Sequence, residues 1–256
     1  PKLSTTIAAI VTTAPKGPLN DRTLITSKDQ MAKVFGTPTG DHYGLYAIDQ
    51  FLEEGNQAIV VRVESSTTPS TAASATVNLV DASTVTINSV DNGSYYNDQS
   101  LVVTHGTPRR LVEEIDQSGV TGSGPYALSV QHGTIHAKDT VRILEDGVQV
   151  LQDDGTGVLT GTTGYSGTID YLTGDITLSF DNDPAGKAYV VNSSVYTTFH
   201  IDVTKLVNGR EFTVESYRNL NLTEDTSGYY LDNMKGSLYI ELPTFTEFPA
   251  VGTYAL

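Results

Sequence analysis

Few side chains of this sequence have the types and spacing that chemistry needs. His132 and His136 stand four apart. On a helix that spacing could hold a metal, but Gly133, Thr134 and Ile135 between them disfavour a helix. On a strand the two rings would share a face about 13 Å apart, too far for one ion. They are expected to be two surface histidines. The run Asp153-Asp154-Gly155-Thr156-Gly157 hints at a calcium loop. It lacks the alternating acidic spacing and the late glutamate of such loops, so a turn is expected. The glycines at 155, 157 and 161 do not fit a dinucleotide fingerprint. Ser129 and His132 have no surrounding motif that would complete a triad. Phe51, Tyr95, Tyr96, Tyr229 and Tyr230 could stack on a ligand, though such residues more often pack in cores and interfaces. The sequence therefore points to no catalytic residue, no metal ligand, no bound cofactor and no enzyme.

The elements that would carry these residues follow from periodicity. In residues 47–63 (AIDQFLEEGNQAIVVRV), Ala47, Ile48, Phe51 and Leu52 form an apolar helical stripe. Phe51 is expected at its centre, under residues 7–11 and 59–61, so that truncation to alanine would cost roughly 3–5 kcal/mol. Gly55 is expected to stop the helix with a positive φ. Residues 58–63 then read as a buried strand and residues 6–13 (TIAAIVTT) as its partner, while residues 1–13 would also suit an arm for a neighbouring molecule. Residues 23–26 are a further strand. Ser27 and Gln30 form a capping box for a helix that carries Met31, Val34 and Phe35 and stops at Gly36.

Residues 64–75 read as a Ser/Thr-rich linker. Strands follow at 75–80, 84–88 and 100–104, with a loop of turn formers around Tyr95 and Tyr96. Between 107 and 195 short strands recur with Gly-rich turns, most clearly at Asp146-Gly147. Residues 109–117 are ambiguous between helix and strand, and neither is preferred. Strands resume near 196–203 and 211–217 around Asn208-Gly209, then a short helix at 228–235 and a last strand at 238–242. The expected class is α+β: an α/β layer (1–75), a β-rich domain (76–106 and 196–256), and an inserted all-β barrel or sandwich (107–195).

The 256 residues carry a net charge of −15. The three regions, 1–106, 107–195 and 196–256, contribute −4, −7 and −4. No basic patch stands out, which disfavours nucleic acid. The acidity disfavours anionic membranes, and no apolar run approaches a span. There is no cysteine, so disulfides and thiolate metal sites are excluded. The first residue is Pro1 and the closing FPAVGTYAL shows no final element, so a longer native chain is expected.

Four stretches in order resemble the tail sheath protein of contractile phages and related injection systems. They are TTIAAIVTTAPKGPLNDRTLITS (5–27), the Phe35-Gly36 pair, QFLEEGNQAIVVRV (50–63), and FTVESYRNLNLTEDTSGYYLDNM (212–234). NGSYYNDQSLVV (92–103) is similar to the family's G-x-W-G-N loop and strand, with Tyr in place of Trp and of the second Gly. GTIDYLTGDITLSF (167–180) resembles small β-domains of phage structural proteins. The family's C-terminal half has no counterpart, so this form is expected to be a monomer or weak oligomer. The resemblance implies a structural subunit of the virion. Such subunits polymerise around the tail tube, contact tube and baseplate proteins, and rearrange on contraction for host entry and genome ejection. The alternative is a surface β-module that binds a host glycan or protein receptor, with Tyr126, Tyr165, Tyr171 and Tyr189 as its aromatic residues.

Overall fold

The computed structural model describes residues 7–64, 70–115, 135–181, 183 and 186–256, and the backbone of 126–130. The chain opens with strands β1 (Ile7–Thr12) and β2 (Arg22–Ile25), helices α1 (Lys28–Phe35) and α2 (Tyr43–Glu54), and strand β3 (Gln57–Arg62). The sheet order is β1-β3-β2. β1 runs parallel to β3, with Ile7 beside Gln57 and Thr12 beside Arg62. A parallel pair needs a long crossover, and the two helices supply it. The opening strand is thus an edge strand of its own chain.

α1 starts as the capping box suggests, with the Gln30 N–H donating to Ser27 Oγ at 3.1 Å. The return bond differs: Gln30 Oε1 accepts from the Thr26 N–H at 2.8 Å. Met31 and Phe35 are buried, and Gly36 ends the helix at φ 90°. In α2 the buried residues are Leu45 and Ile48. Ala47 is exposed, and Phe51 is only half-buried, packed with Ala8 and Ile10 against the rim of the cluster that holds Leu45 and Ile48. The apolar stripe therefore begins one turn earlier than residues 47–54 alone suggest. On β3, Ala58, Val60 and Arg62 face inward, so Ile59 and Val61 lie on the far face from Phe51. Gly55 does not adopt a positive φ. Its backbone is extended at φ −92°, ψ 163°. Glycine is required there for space, because a Cβ would lie 2.5 Å from the Phe51 ring.

The body of the molecule follows: β4 (Ala72–Asn78), β5 (Thr84–Asn92) and β6 (Gln99–His105). β4 begins inside the stretch expected to be a linker, of which 65–69 lie outside the described residues. The chain then runs through β7 (Arg109–Glu114), β8 (Tyr126–Val130), β9 (Ile135–His136), β10 (Arg142–Glu145), β11 (Val148–Asp153), β12 (Val158–Gly161), β13 (Tyr165–Ile169), β14 (Ile176–Phe180) and β15 (Tyr189–Tyr196). These strands pair in the order β7-β15-β10-β11-β12-β13-β14-β8, with β9 also on β15. They enclose a core that includes Ile143, Leu151, Leu178, Phe180 and Val191. Residues 109–114 are a strand because β15, some eighty residues later, pairs with them.

The chain returns with β16 (Phe199–Val207), β17 (Arg210–Leu220), α3 (Tyr230–Met234) and β18 (Gly252–Ala255). These strands join β6 in the order β17-β16-β6-β18. Their core holds Leu101, Val103, Phe199, Ile201, Val203, Tyr230 and Met234, with Val77 and Ile87 from the β4–β5 hairpin. Two expectations are corrected here. Residues 238–242 form no strand, and Ile240 makes only an isolated bridge to Ser89. The closing residues do form an element: β18 pairs with β6, Tyr254 beside Leu101. At the junction with β7–β15, the Gly106 N–H donates to Thr198 O at 2.8 Å, so the chain leaves and returns at one place.

Candidate functional site

Among the described residues a polar constellation joins the α/β layer to the β body, and the loop after β5 builds it. Gly93 holds φ 134°, a conformation that L side chains rarely adopt. A Cβ there would lie 2.4 Å from Pro15 O and 2.8 Å from an Arg62 nitrogen. This close approach lets the Tyr95 N–H donate to Pro15 O at 3.1 Å. Arg62 ends β3 on its inward face and is 3% exposed. Its Nη1 donates to Gly17 O and its Nη2 to Asn92 O, each at 2.6 Å. One guanidinium thus ties the first loop of the chain to the end of β5. Burial pulls its pKa down, opposed by Asp91, Glu64 and Tyr96 in that order. A guanidinium stays charged at neutral pH.

Beyond Arg62 the loop presents Tyr95 to two more cations. Lys16 Nζ stands 4.1 Å from the ring centroid and Lys205 Nζ 3.7 Å. Lys205 also donates to Tyr95 O at 2.6 Å. An ammonium over an aromatic face contributes about 0.5–2 kcal/mol, more as water is excluded. Burial is the largest influence on Lys205 and lowers its pKa. The Tyr95 ring stacks on Tyr239 at 6.1 Å and meets Tyr96 edge-on at 5.4 Å. Tyr96 is buried, and burial, then Asp91, hold its hydroxyl well above the usual range. The cations here are bound to carbonyls and rings, so the cluster fixes position and offers no reactive group.

The other described residues that could do chemistry are occupied structurally. His132 and the Ser129 side chain lie outside the described residues. His136 is not a surface histidine. It lies in β9 at 2% exposure, because β9 folds onto β15. Asp153 is buried and its carboxylate accepts from the N–H groups of Asp139 and Gly155 and from the Tyr171 hydroxyl. Burial, then that bond to Asp153, push Tyr171 up to about 12. Asp154 caps a turn by accepting from Thr156 and Val158. Glu145 accepts from the hydroxyls of Tyr165 and Tyr189, each at 2.5 Å, and pairs with Lys187. Tyr229 and Tyr230 pack edge to face at 5.4 Å, and Tyr230 accepts from the Phe245 N–H. Among the described residues no three His, Asp or Glu side chains gather as a metal site would need. No helix among them is long and apolar enough to cross a membrane.

The sequence reading singled out Tyr95 and Tyr96 but missed Lys16, Arg62 and Lys205. Arg62 had a signal: it falls on the buried parity of β3 with Ala58 and Val60, where a charge needs a partner. The lysines had none, because they arrive from distant parts of the chain.

The layer that this joint anchors is similar to known proteins. Residues 5–63 match the family model described as tail sheath protein Gp18, domain III N-terminal region. In that region the chain is phage tail sheath-like, which supports a structural role. A sheath tail protein from Desulfitobacterium hafniense is a solved structure similar to this chain, at 12% identity and a TM-score of 0.42. The match covers 97% of this chain, which spans 34% of that one. No curated protein matches in sequence.

Proposed function

We propose that this chain serves in a structural subunit of a contractile phage tail sheath. It polymerises with its copies around the tail tube, is assembled in the host cytoplasm and ends in the virion. On contraction it rearranges, in contact with tube and baseplate proteins, and drives the tube through the host envelope for genome ejection. It performs no catalysis and needs no cofactor. The observation that carries this reading is the match over residues 5–63, a layer fixed to the body through Arg62. Two packings of rigid bodies are what such a switch needs. Electron microscopy of the purified full-length protein is the test. Long hollow cylinders are expected, and discrete globular particles under all assembly conditions would sink the reading. The receptor-binding alternative has less behind it, since Tyr165, Tyr171 and Tyr189 are engaged by Glu145 and Asp153.

We propose three units: residues 1–75, residues 76–106 with 196–256, and residues 107–195, although β4 pairs Ala72–Ala75 with β5 and so draws those residues toward the second unit. A deletion that joins Gly106 to Tyr196 should leave a soluble protein that melts cooperatively. An insoluble or unfolded product would count against the division. The inserted unit, at −7, should sit on the solvated outside of any assembly.

A further inference from the structure

The β16–β17 hairpin ends in a stretch that nothing covers. Residues 206–213 are exposed without a break. Leu206 (51%), Val207 (43%) and Phe212 (51%) are large apolar members of it. The register sets Lys205 opposite Phe212 and Val207 opposite Arg210. Paired residues share a face and successive pairs alternate. Val207, Arg210 and Phe212 therefore stand on one side of the ribbon, an apolar patch with a cation in it. Lys205 shares that side, but its ammonium is held at Tyr95 O.

At the other end of the same ladder lies a groove of about 470 Å³. Its walls include Leu172, Leu222 and Phe248, and its charged residues are Asp81, Asp175 and Glu247, all acidic. The volume accepts several side chains. Thr197, just before β16, and Asn221, just after β17, also line it. The tip residues Val207 and Arg210 are ten and eleven residues from them along the two strands, roughly 33 Å at about 3.3 Å per residue. A paired ribbon cannot bend back over that distance, so a tip and a groove of one molecule cannot meet.

We propose that the β16–β17 tip of one copy seats in this groove of a second copy. Val207 and Phe212 pack against Leu172, Leu222 and Phe248, and Arg210 faces the carboxylates of Asp81, Asp175 and Glu247. Molecules of net charge −15 repel one another. A local pairing of opposite charge is what would set their orientation. The contact is head-to-tail, so each copy keeps a vacant tip and a vacant groove and the contact propagates. It rests on the self-assembly reading above for the local concentration that one small contact needs.

The chain has no cysteine, so single-cysteine variants report the contact cleanly. With oxidised glutathione as the oxidant in both mixtures, Val207→Cys with Leu172→Cys should form the mixed disulfide about tenfold faster than Val207→Cys with Val148→Cys, as expected when binding raises the effective concentration. Val148 is exposed on β11 and serves as the control. Adding Arg210→Glu to the Val207→Cys copy should bring the rate down to the control. Equal rates for the two mixtures, or a rate indifferent to Arg210→Glu, would overturn the proposal. Cylinders in the microscope without the accelerated cross-link would sink this contact alone. The accelerated cross-link, with no cylinders from the full-length protein, would sink the sheath reading alone.

Discussion

Truncating Phe35 to alanine should destabilise the protein by about 3–5 kcal/mol, the range for a large aromatic removed from a closed core. Phe35 is 0% exposed, at the end of α1, among Met31, Leu45, Ile48 and Val60. No solvent reaches the site to fill the cavity. Phe51→Ala should cost less, about 1–2 kcal/mol, because a half-buried ring loses only part of its transfer energy. Gly55→Val should destabilise too, by driving a side chain into the Phe51 ring rather than by straining φ. Adding Phe51→Ala to Gly55→Val should then relieve part of that loss. Denaturant midpoints of the four variants check the order. If Phe51→Ala unfolds as readily as Phe35→Ala, the centre of this core has been misplaced.

The second large effect belongs to Arg62. Arg62→Met keeps the bulk but leaves Gly17 O and Asn92 O without their donor in a buried place. Hydrogen bonds from a charged group contribute about 1.5–3 kcal/mol each. A loss of about 3–5 kcal/mol is expected, comparable to removing one partner of a buried pair. The form of the unfolding should change as well. With the tie gone, the α/β layer should melt before the body, giving two transitions where the native protein gives one. Arg62→Lys should recover less than half, since one ammonium cannot serve two carbonyls as a fork does. Lys28→Met removes an exposed ion pair with Asp49 and Glu53, so its melting should match the native protein. A single unshifted transition for Arg62→Met would show that the joint does not couple the two parts.

Local signals in the sequence translated well. Ser27 capped its helix, and Asp146-Gly147 and Asn208-Gly209 turned their hairpins with both residues at positive φ. Elements defined by distant partners did not. β18 is four residues containing a glycine and has meaning only against β6. Residues 109–114 lack a pattern because β15 supplies the pairing from far along the chain. Residues 238–242 have the composition of a strand but find only a bridge at Ile240. The joint was half legible for the same reason. Its loop announced itself through Gly93, Tyr95 and Tyr96, while Lys16 and Lys205 come from opposite directions in the sequence.

The shared point of departure and return at Gly106 and Thr198 also governs the order in which the chain can fold. β6 and β16 are neighbours in the sheet, with His105 beside Phe199, yet residues 106–198 separate them. In an unfolded chain, closing so long a loop is entropically unfavourable, by about 0.6 kcal/mol more for each doubling of its length. If the intervening strands fold first, their own β7–β15 pairing sets Arg109 beside Val195. The span to be closed then shrinks to a few residues, and β6 and β16 meet almost as the arms of a hairpin. On that order the intervening residues would serve as a pre-folded clasp for the ladder that carries the body, although they contribute nothing to its core.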